Sequence, residues 1–454
     1  MTLTEQFAEF TAGTTYAGIP EAARRKAKEC ILDCLGVAIA GTRESIVPPL
    51  LQYVDAVGGL PQATLIGSGK RTSITNAALV NGAIGHVLDF DDTNQLFIGH
   101  GSVVIVPAIL ALAEHLGSTG EDVIAAFMVG TEIQWKLGEA LVDAGDHYLR
   151  GWHSTCTVGA FGATASAAWL LKLDREQMRN AFGIAASEAA GFQEQFGTHC
   201  KPFHAGRANE IGIRAALLAK GGLTSSKTAL EGNVGFLKLV AGKMDLSKIS
   251  NFGAPWGILE KTFGRGINLK ANPVCASGVG GIEGMQRMLA EHKFKAADVE
   301  SIAAGVRPKS LNILMYHTPE TGLEAKFSAE YWMAATIVYG RVGLEQVTDA
   351  AVQNPEVQAL LRKVKVYPDE SILVSAARVN ITVKLKDGRE ITESYYPPKG
   401  AADNPMTEQE LGAKFAECMA WGGISEQKIT RAKEIVLGLE KAKSVPELMQ
   451  ALVA

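Results

Sequence analysis

The sequence holds only six cysteines in 454 residues, and no two of them form a Cys-x-x-Cys pair. Zinc and dithiol sites built on such pairs are therefore not expected. An iron–sulfur centre needs three thiolates close together, whereas Cys30, Cys34, Cys156, Cys200, Cys275 and Cys418 are scattered. Cys30 and Cys34 share a helix face with Ala27, Ile31, Leu35 and Ala38, which reads as core packing. Positive charge is not in excess: 44 Lys and Arg face 48 Asp and Glu, a formal net charge of −4. Without a basic field, nucleic acid is not an expected partner. Long apolar runs are missing as well. Val103 to Leu112 is too short for a bilayer and is followed by Glu114 and His115, so no membrane association is expected. The start, Met1-Thr2-Leu3-Thr4-Glu5-Gln6, lacks the basic-then-apolar layout of a secretory signal. A cytoplasmic or other reducing location is the expectation.

Hydrophobic residues at 47% and charged residues at 20% fit an ordinary globular core, and the length suggests two domains. The first part reads as successive helices: Ile19 to Ala40, Thr72 to Leu88, Val103 to Leu116, Glu121 to Glu139, Gly159 to Leu171, Arg175 to Ala190 and Ala205 to Ala219. Thr72 to Leu88 is rich in Ala and Gly, so another helix can pack unusually close to it. Asp174 and Ser225 suit N-caps. After Gly266 the texture changes. Ser301 to Val306 and Ala377 to Leu385 read as strands, and Asp387-Gly388 before Ile391 to Tyr396 signals a hairpin. The expected class is mainly α with a smaller α+β domain. Residues 1–266, completed by 402–454, form the helical domain, and 267–401 form the α+β unit.

Four segments carry chemistry. His86-Val87-Leu88-Asp89-Phe90-Asp91-Asp92-Thr93, closed by Gly99-His100-Gly101-Ser102, sets three acids at a helix end, where the dipole already disfavours them. A solvated cap, a Mg²⁺ site and a network in which an aspartate orients His100 all fit this spacing. Gly151-Trp152-His153 precedes a small-residue helix, where a helix N-terminus favours neutral imidazole. Lys201, His204 and Arg207, with His199, crowd cations ahead of a helix start, which suits a polycarboxylate. Lys270 to Gly278, with Cys275, lies at the boundary between the two domains, a preferred place for ligands. Tyr316-His317 could face the same cleft from the smaller domain. Gly67-Ser68-Gly69-Lys70 has Thr64 and Arg71 where a phosphate loop requires Gly and Ser or Thr. Gly278-Val279-Gly280-Gly281 lacks the dinucleotide fingerprint, so no nucleotide cofactor is inferred.

Taken together and in order, these segments resemble the MmgE/PrpD family, which includes 2-methylcitrate dehydratase, cis-aconitate decarboxylase and iminodisuccinate epimerase. Asn81-Gly82, Val106-Pro107-Ala108, Phe161-Gly162-Ala163, Glu324-Ala325-Lys326-Phe327-Ser328, Asn404-Pro405-Met406-Thr407 and Lys414-Phe415 add to the resemblance, which covers nearly the whole chain. It implies a helical domain with a lid, a homodimer, and no metal or organic cofactor. Family active-site positions fall on Asp89, Thr93, His100, His153, Lys201 and Lys270, with Tyr316 contributed from the lid; by their place in the segments above, His204, Arg207 and Cys275 join Tyr316 as expected substrate contacts. Cys275 and Val279 stand where relatives often keep histidines, which weakens a decarboxylase reading. Cysteine at 275 also occurs in the epimerase branch. The expected activity is that of a hydro-lyase resembling 2-methylcitrate dehydratase, taking a proton alpha to a carboxylate of a small di- or tricarboxylic acid. Epimerisation of an imino- or hydroxy-diacid is the alternative, and decarboxylation of cis-aconitate follows it.

Overall fold

A computed structural model of the chain describes residues 1–141, 147–242, 245–372 and 377–454. Its helical part is built mainly from α1 (Glu21–Gly41), α2 (Ile74–His86), α3 (Val106–Leu116), α4 (Gly120–Leu141), α5 (Gly159–Leu170), α6 (Arg175–Ala186) and α7 (Cys200–Lys220). Ser73 caps α2 by accepting from the Asn76 amide, and almost every side chain of that helix is buried. A helix buried on all faces can have neighbours on several sides. α7 crosses it where glycines leave no side chain in the way: a Cβ on Gly206 would stand 2.1 Å from the Leu79 carbonyl oxygen. Asn209 then locks the next layer. Its side-chain amide donates to the Val103 carbonyl at 2.8 Å, and its side-chain oxygen accepts from the Ala108 amide at 2.9 Å. That ties the start of α3 to α7.

The smaller part contains α8 (Val279–His292) and a four-stranded sheet of β1 (Val299–Val306), β2 (Val364–Pro368), β3 (Val379–Leu385) and β4 (Glu390–Tyr395). The order is β2-β1-β3-β4, with β1 and β2 parallel and the other pairs antiparallel. The hairpin signal lands as expected, with Lys384 opposite Glu390 and Gly388 at φ 91° in the turn. β2 escaped the sequence reading because it is a short, half-exposed edge strand without clean alternation. Beyond it, α9 (Glu408–Trp421) returns to the helical part and packs on α1, where Gly36 admits the ring of Phe415. The fold is mainly α with a smaller α+β part. No helix among the described residues is long and apolar enough to cross a membrane.

Two local expectations are corrected. No helix starts at Ser225, whose amide instead donates to the Asn180 side chain at 3.1 Å. α7 begins at Cys200 rather than near Ala205, with Pro202 in its first turn, where a missing amide hydrogen does no harm. Lys201 and His204 are therefore on the helix, not ahead of it.

Because the Gly206 approach is to backbone that cannot swing aside, Gly206→Ala is expected to destabilise the protein by about 1–3 kcal/mol. Urea midpoints of the two proteins measure this; an unchanged midpoint would show that the α2–α7 contact is looser than described.

Candidate active site

α2 ends at His86, and the chain turns sharply: Asp89 has φ 49°, a left-handed conformation that costs a non-glycine residue energy. What holds it there is charge. The Lys270 ammonium donates to both the Asp89 carbonyl and its carboxylate, the latter at 2.8 Å. Lys201, from the first turn of α7, reaches the same carboxylate oxygen at 3.3 Å. Burial alone would raise the Asp89 pKa, but Lys201 and Lys270 outweigh it and hold the carboxyl well below its usual range. Two further buried lysines cap neighbouring carbonyls: Lys326 donates to Val87 at 2.9 Å and Lys414 to Phe90 at 2.9 Å. Lys414 also pairs with Asp33 at 2.6 Å.

A second chain of contacts runs behind Asp89. His86 Nε2 lies 2.9 Å from the Lys201 ammonium and accepts from it, so His86 Nδ1 carries its hydrogen and donates to Asp91 at 3.0 Å. Asp91 is shared, since His100 Nδ1 lies 2.9 Å from its Oδ2, which His86 Nδ1 also approaches at 3.0 Å. His100 Nε2 stands 3.3 Å from Asp89. Burial lowers the pKa of His86 to about 3 against the pull of Asp91. Burial also lowers that of His100, again opposed by Asp91. Burial would raise Asp91, but His100 and His86 outweigh it and keep it ionised. On the other side of the cavity, His153 faces His204 with their Nδ1 atoms 3.0 Å apart, and its ring meets Phe196 edge-on. His153 is neutral because of burial first and Lys201 second, rather than through a helix dipole, since the helix it precedes is four residues long. His204 is lowered to about 4 for the same first reason.

Asp89, Thr93, His100, His153, Lys201 and Cys275 line one cavity of roughly 70 Å³, together with Tyr148, Phe196, Ser277 and Phe327. Thr93 is anchored by pairing with Asn268, and its buried hydroxyl has no hydrogen-bond partner among the described residues. Lys270 and His204 sit one layer back. Burial keeps the Cys275 thiol protonated. Two expectations are corrected by placement. Arg207 turns away onto Glu188 and Glu210, each at 2.8 Å, and lines a separate surface groove. Tyr316 gives its hydroxyl to the Phe196 carbonyl at 2.9 Å and so braces the wall instead of facing the cavity. His317 pairs with Glu330 outside it. Sequence reading passed over His86 as an actor, although it lies five residues before Asp91. It also gave no role to Tyr148, nor to Lys326 and Lys414, which entered only as parts of segments carrying the family resemblance.

Two models cover most of this architecture: the MmgE/PrpD N-terminal domain matches residues 5–248 and the MmgE/PrpD C-terminal domain residues 273–441. The chain belongs to the MmgE/PrpD family. Among curated relatives, cis-aconitate decarboxylase of Mus musculus is 29% identical over 91% of this chain and 86% of its own length. Cis-aconitate decarboxylase of Aspergillus terreus is 27% identical, over 99% and 96%. 2-Methylcitrate dehydratase of Salmonella typhimurium is 24% identical, over 80% and 79%. The alternative of a metal at the acidic turn has a donor set to match, since His86, Asp89, Asp91 and His100 bring ligand atoms within 4.8 Å of one another. Those atoms are already engaged, however: Asp91 serves both imidazoles, and two ammonium groups occupy Asp89. An ion would have to displace these contacts.

Asp92 differs from its neighbours. It is fully buried and, among the described residues, accepts from the Ser102 amide alone, at 3.2 Å. Burial, then the charges of Asp91 and Asp33, raise its pKa to about 7. A raised acid stabilises the fold fully below its unfolded value and loses that contribution as pH rises through the folded value. Asp92→Asn should therefore melt progressively higher than the parent between about pH 4 and about pH 7, with a constant advantage above. Thermal melts at pH 5 and pH 8 measure it; an equal difference at both would show that Asp92 ionises normally.

Proposed function

We propose that the chain is a cofactor-independent lyase that removes a proton alpha to a carboxylate of a small di- or tricarboxylic acid, with 2-methylcitrate-like hydroxy acids preferred. The observation carrying this reading is one cavity that joins two neutral histidines, His100 and His153, to the ammonium of Lys201. A neutral imidazole is a base, and His100 is the better placed: a proton taken at Nε2 yields an imidazolium flanked by Asp89 and Asp91. The electrons of the broken C–H bond move into the adjacent carboxylate, where Lys201 offsets the growing charge in a site with little water. His153 offers a hydrogen bond to the departing hydroxyl, and the proton held by His100 leaves with it as water. In an epimerisation that proton step would instead be reversed on the opposite face.

A second reading, decarboxylation of cis-aconitate, is favoured by the higher identity to the decarboxylases than to the dehydratase. Under either reading, residues 1–266 with 402–454 are taken as the helical unit and 267–401 as its lid, supported by the return of α9 onto α1. The working form is taken as a homodimer.

His100→Ala and His153→Ala are each expected to lose on the order of 10²–10⁴-fold in kcat. Turnover of 2-methylcitrate and cis-aconitate, followed by NMR in D₂O, separates the outcomes. An alkene from 2-methylcitrate marks dehydration, carbon dioxide from cis-aconitate marks decarboxylation, and α-deuteration of a diacid without alkene marks epimerisation. Near-parental turnover by both variants on whichever acid is accepted would overturn the scheme.

A further inference from the structure

Tyr148 opens a short turn, Tyr148–Arg150, and its ring lines the cavity with Asp89, His100, His153 and Lys201. Its backbone is held firmly. The Tyr148 carbonyl accepts from the Gly151 amide at 3.1 Å and from the Gln193 side chain at 2.6 Å. Gln193 also donates to the Trp152 carbonyl at 3.0 Å, and the His153 amide donates to Gly191 at 3.0 Å. One short segment, Gly191 to Gln193, thus fixes Tyr148 and His153 relative to each other. The hydroxyl is another matter. Tyr316, Tyr331 and Tyr339 give theirs to carbonyls, as large half-buried phenols usually do. The Tyr148 hydroxyl has no hydrogen bond to any described residue. Burial, reinforced by Cys275 and Asp89, resists its ionisation.

We propose that Tyr148 is a further catalytic residue, a phenol that keeps its proton and donates a hydrogen bond to the substrate oxygen on which negative charge accumulates. The assignment rests on the proton-abstraction reading above. It explains why a donor is held rigidly at the wall yet left without a partner among the described residues: its acceptor arrives with the substrate. A neutral donor also suits this wall. Asp89 and Cys275 lie on the same side, and a further carboxylate there would repel a polyanion, whereas a hydroxyl satisfies it without adding charge. Tyr148 breaks no bond and moves no proton, so its contribution is confined to the stabilisation that grows toward the transition state.

The test is Tyr148→Phe in the full chain, with three measurements. Its melting temperature should match or exceed the parent's, because the lost hydroxyl had no hydrogen-bond partner among the described residues. Its kcat on the accepted acid should fall on the order of 10²-fold, with KM little changed and the acid limb of the pH profile unmoved. Calorimetric binding of tricarballylate, an inert tricarboxylate, to the parent protein checks the underlying reading separately. A parent that neither binds it nor turns over 2-methylcitrate or cis-aconitate sinks the reading and this assignment together. A parent that is active beside a Tyr148→Phe variant with kcat within twofold of it, or with the loss confined to KM, overturns the assignment alone.

Discussion

The interaction on which the rest of this site depends is the pairing of one buried carboxylate with two buried ammonium groups. Asp89 sits in a left-handed turn with its side chain between Lys201 and Lys270. Removing Asp89 would leave two ammonium groups without their carboxylate in low-dielectric surroundings, and an unpaired buried charge typically costs about 3–5 kcal/mol. The three groups come from α2's end, α7's start and the approach to α8, so the pairing brings three distant segments of chain to one point. Lys326 and Lys414 extend the same logic to the backbone, taking the Val87 and Phe90 carbonyls that a helix end leaves open.

That turn then orders the histidines. With Lys201 donating to His86 Nε2, the tautomer of His86 is settled, and Asp91 is left to hold the Nδ1 side of both His86 and His100. Burial keeps the rings neutral, while the carboxylates behind them stay charged, so a proton gained at His100 would be met by existing negative charge instead of requiring reorganisation. The contacts count for as much as they do because the surrounding helices are packed tightly enough to exclude water. The close α2–α7 crossing at Gly82 and Gly206 provides that, and Asn209 keeps it in register.

Much of this was legible in the chain. The alternation through Val379, Ile381, Val383 and Leu385 and the Asp387-Gly388 turn predicted the hairpin, because strand periodicity and turn chemistry are local. The glycine-rich character of α2 announced a close helix neighbour for the same reason. Legibility ended where partners are far apart in sequence. Arg207 looked like a cavity cation because it lies three residues from His204 in the sequence, yet on the helix it points to Glu188 and Glu210. Tyr316 looked like a substrate contact and is a brace for Phe196.

By itself, then, the sequence determined residue types, helix and strand periods, and the run of segments that marks the family. Which of three adjacent aspartates bears which role was decided only in three dimensions. Asp89, Asp91 and Asp92 share one short stretch, yet one is held ionised by lysines, one by histidines, and one is pushed up to about 7 by burial beside like charge. The physical reason is that a carboxylate's charge is set by what surrounds it within a few ångströms, and those neighbours come from residues 33, 86, 100, 201 and 270, which only folding brings together.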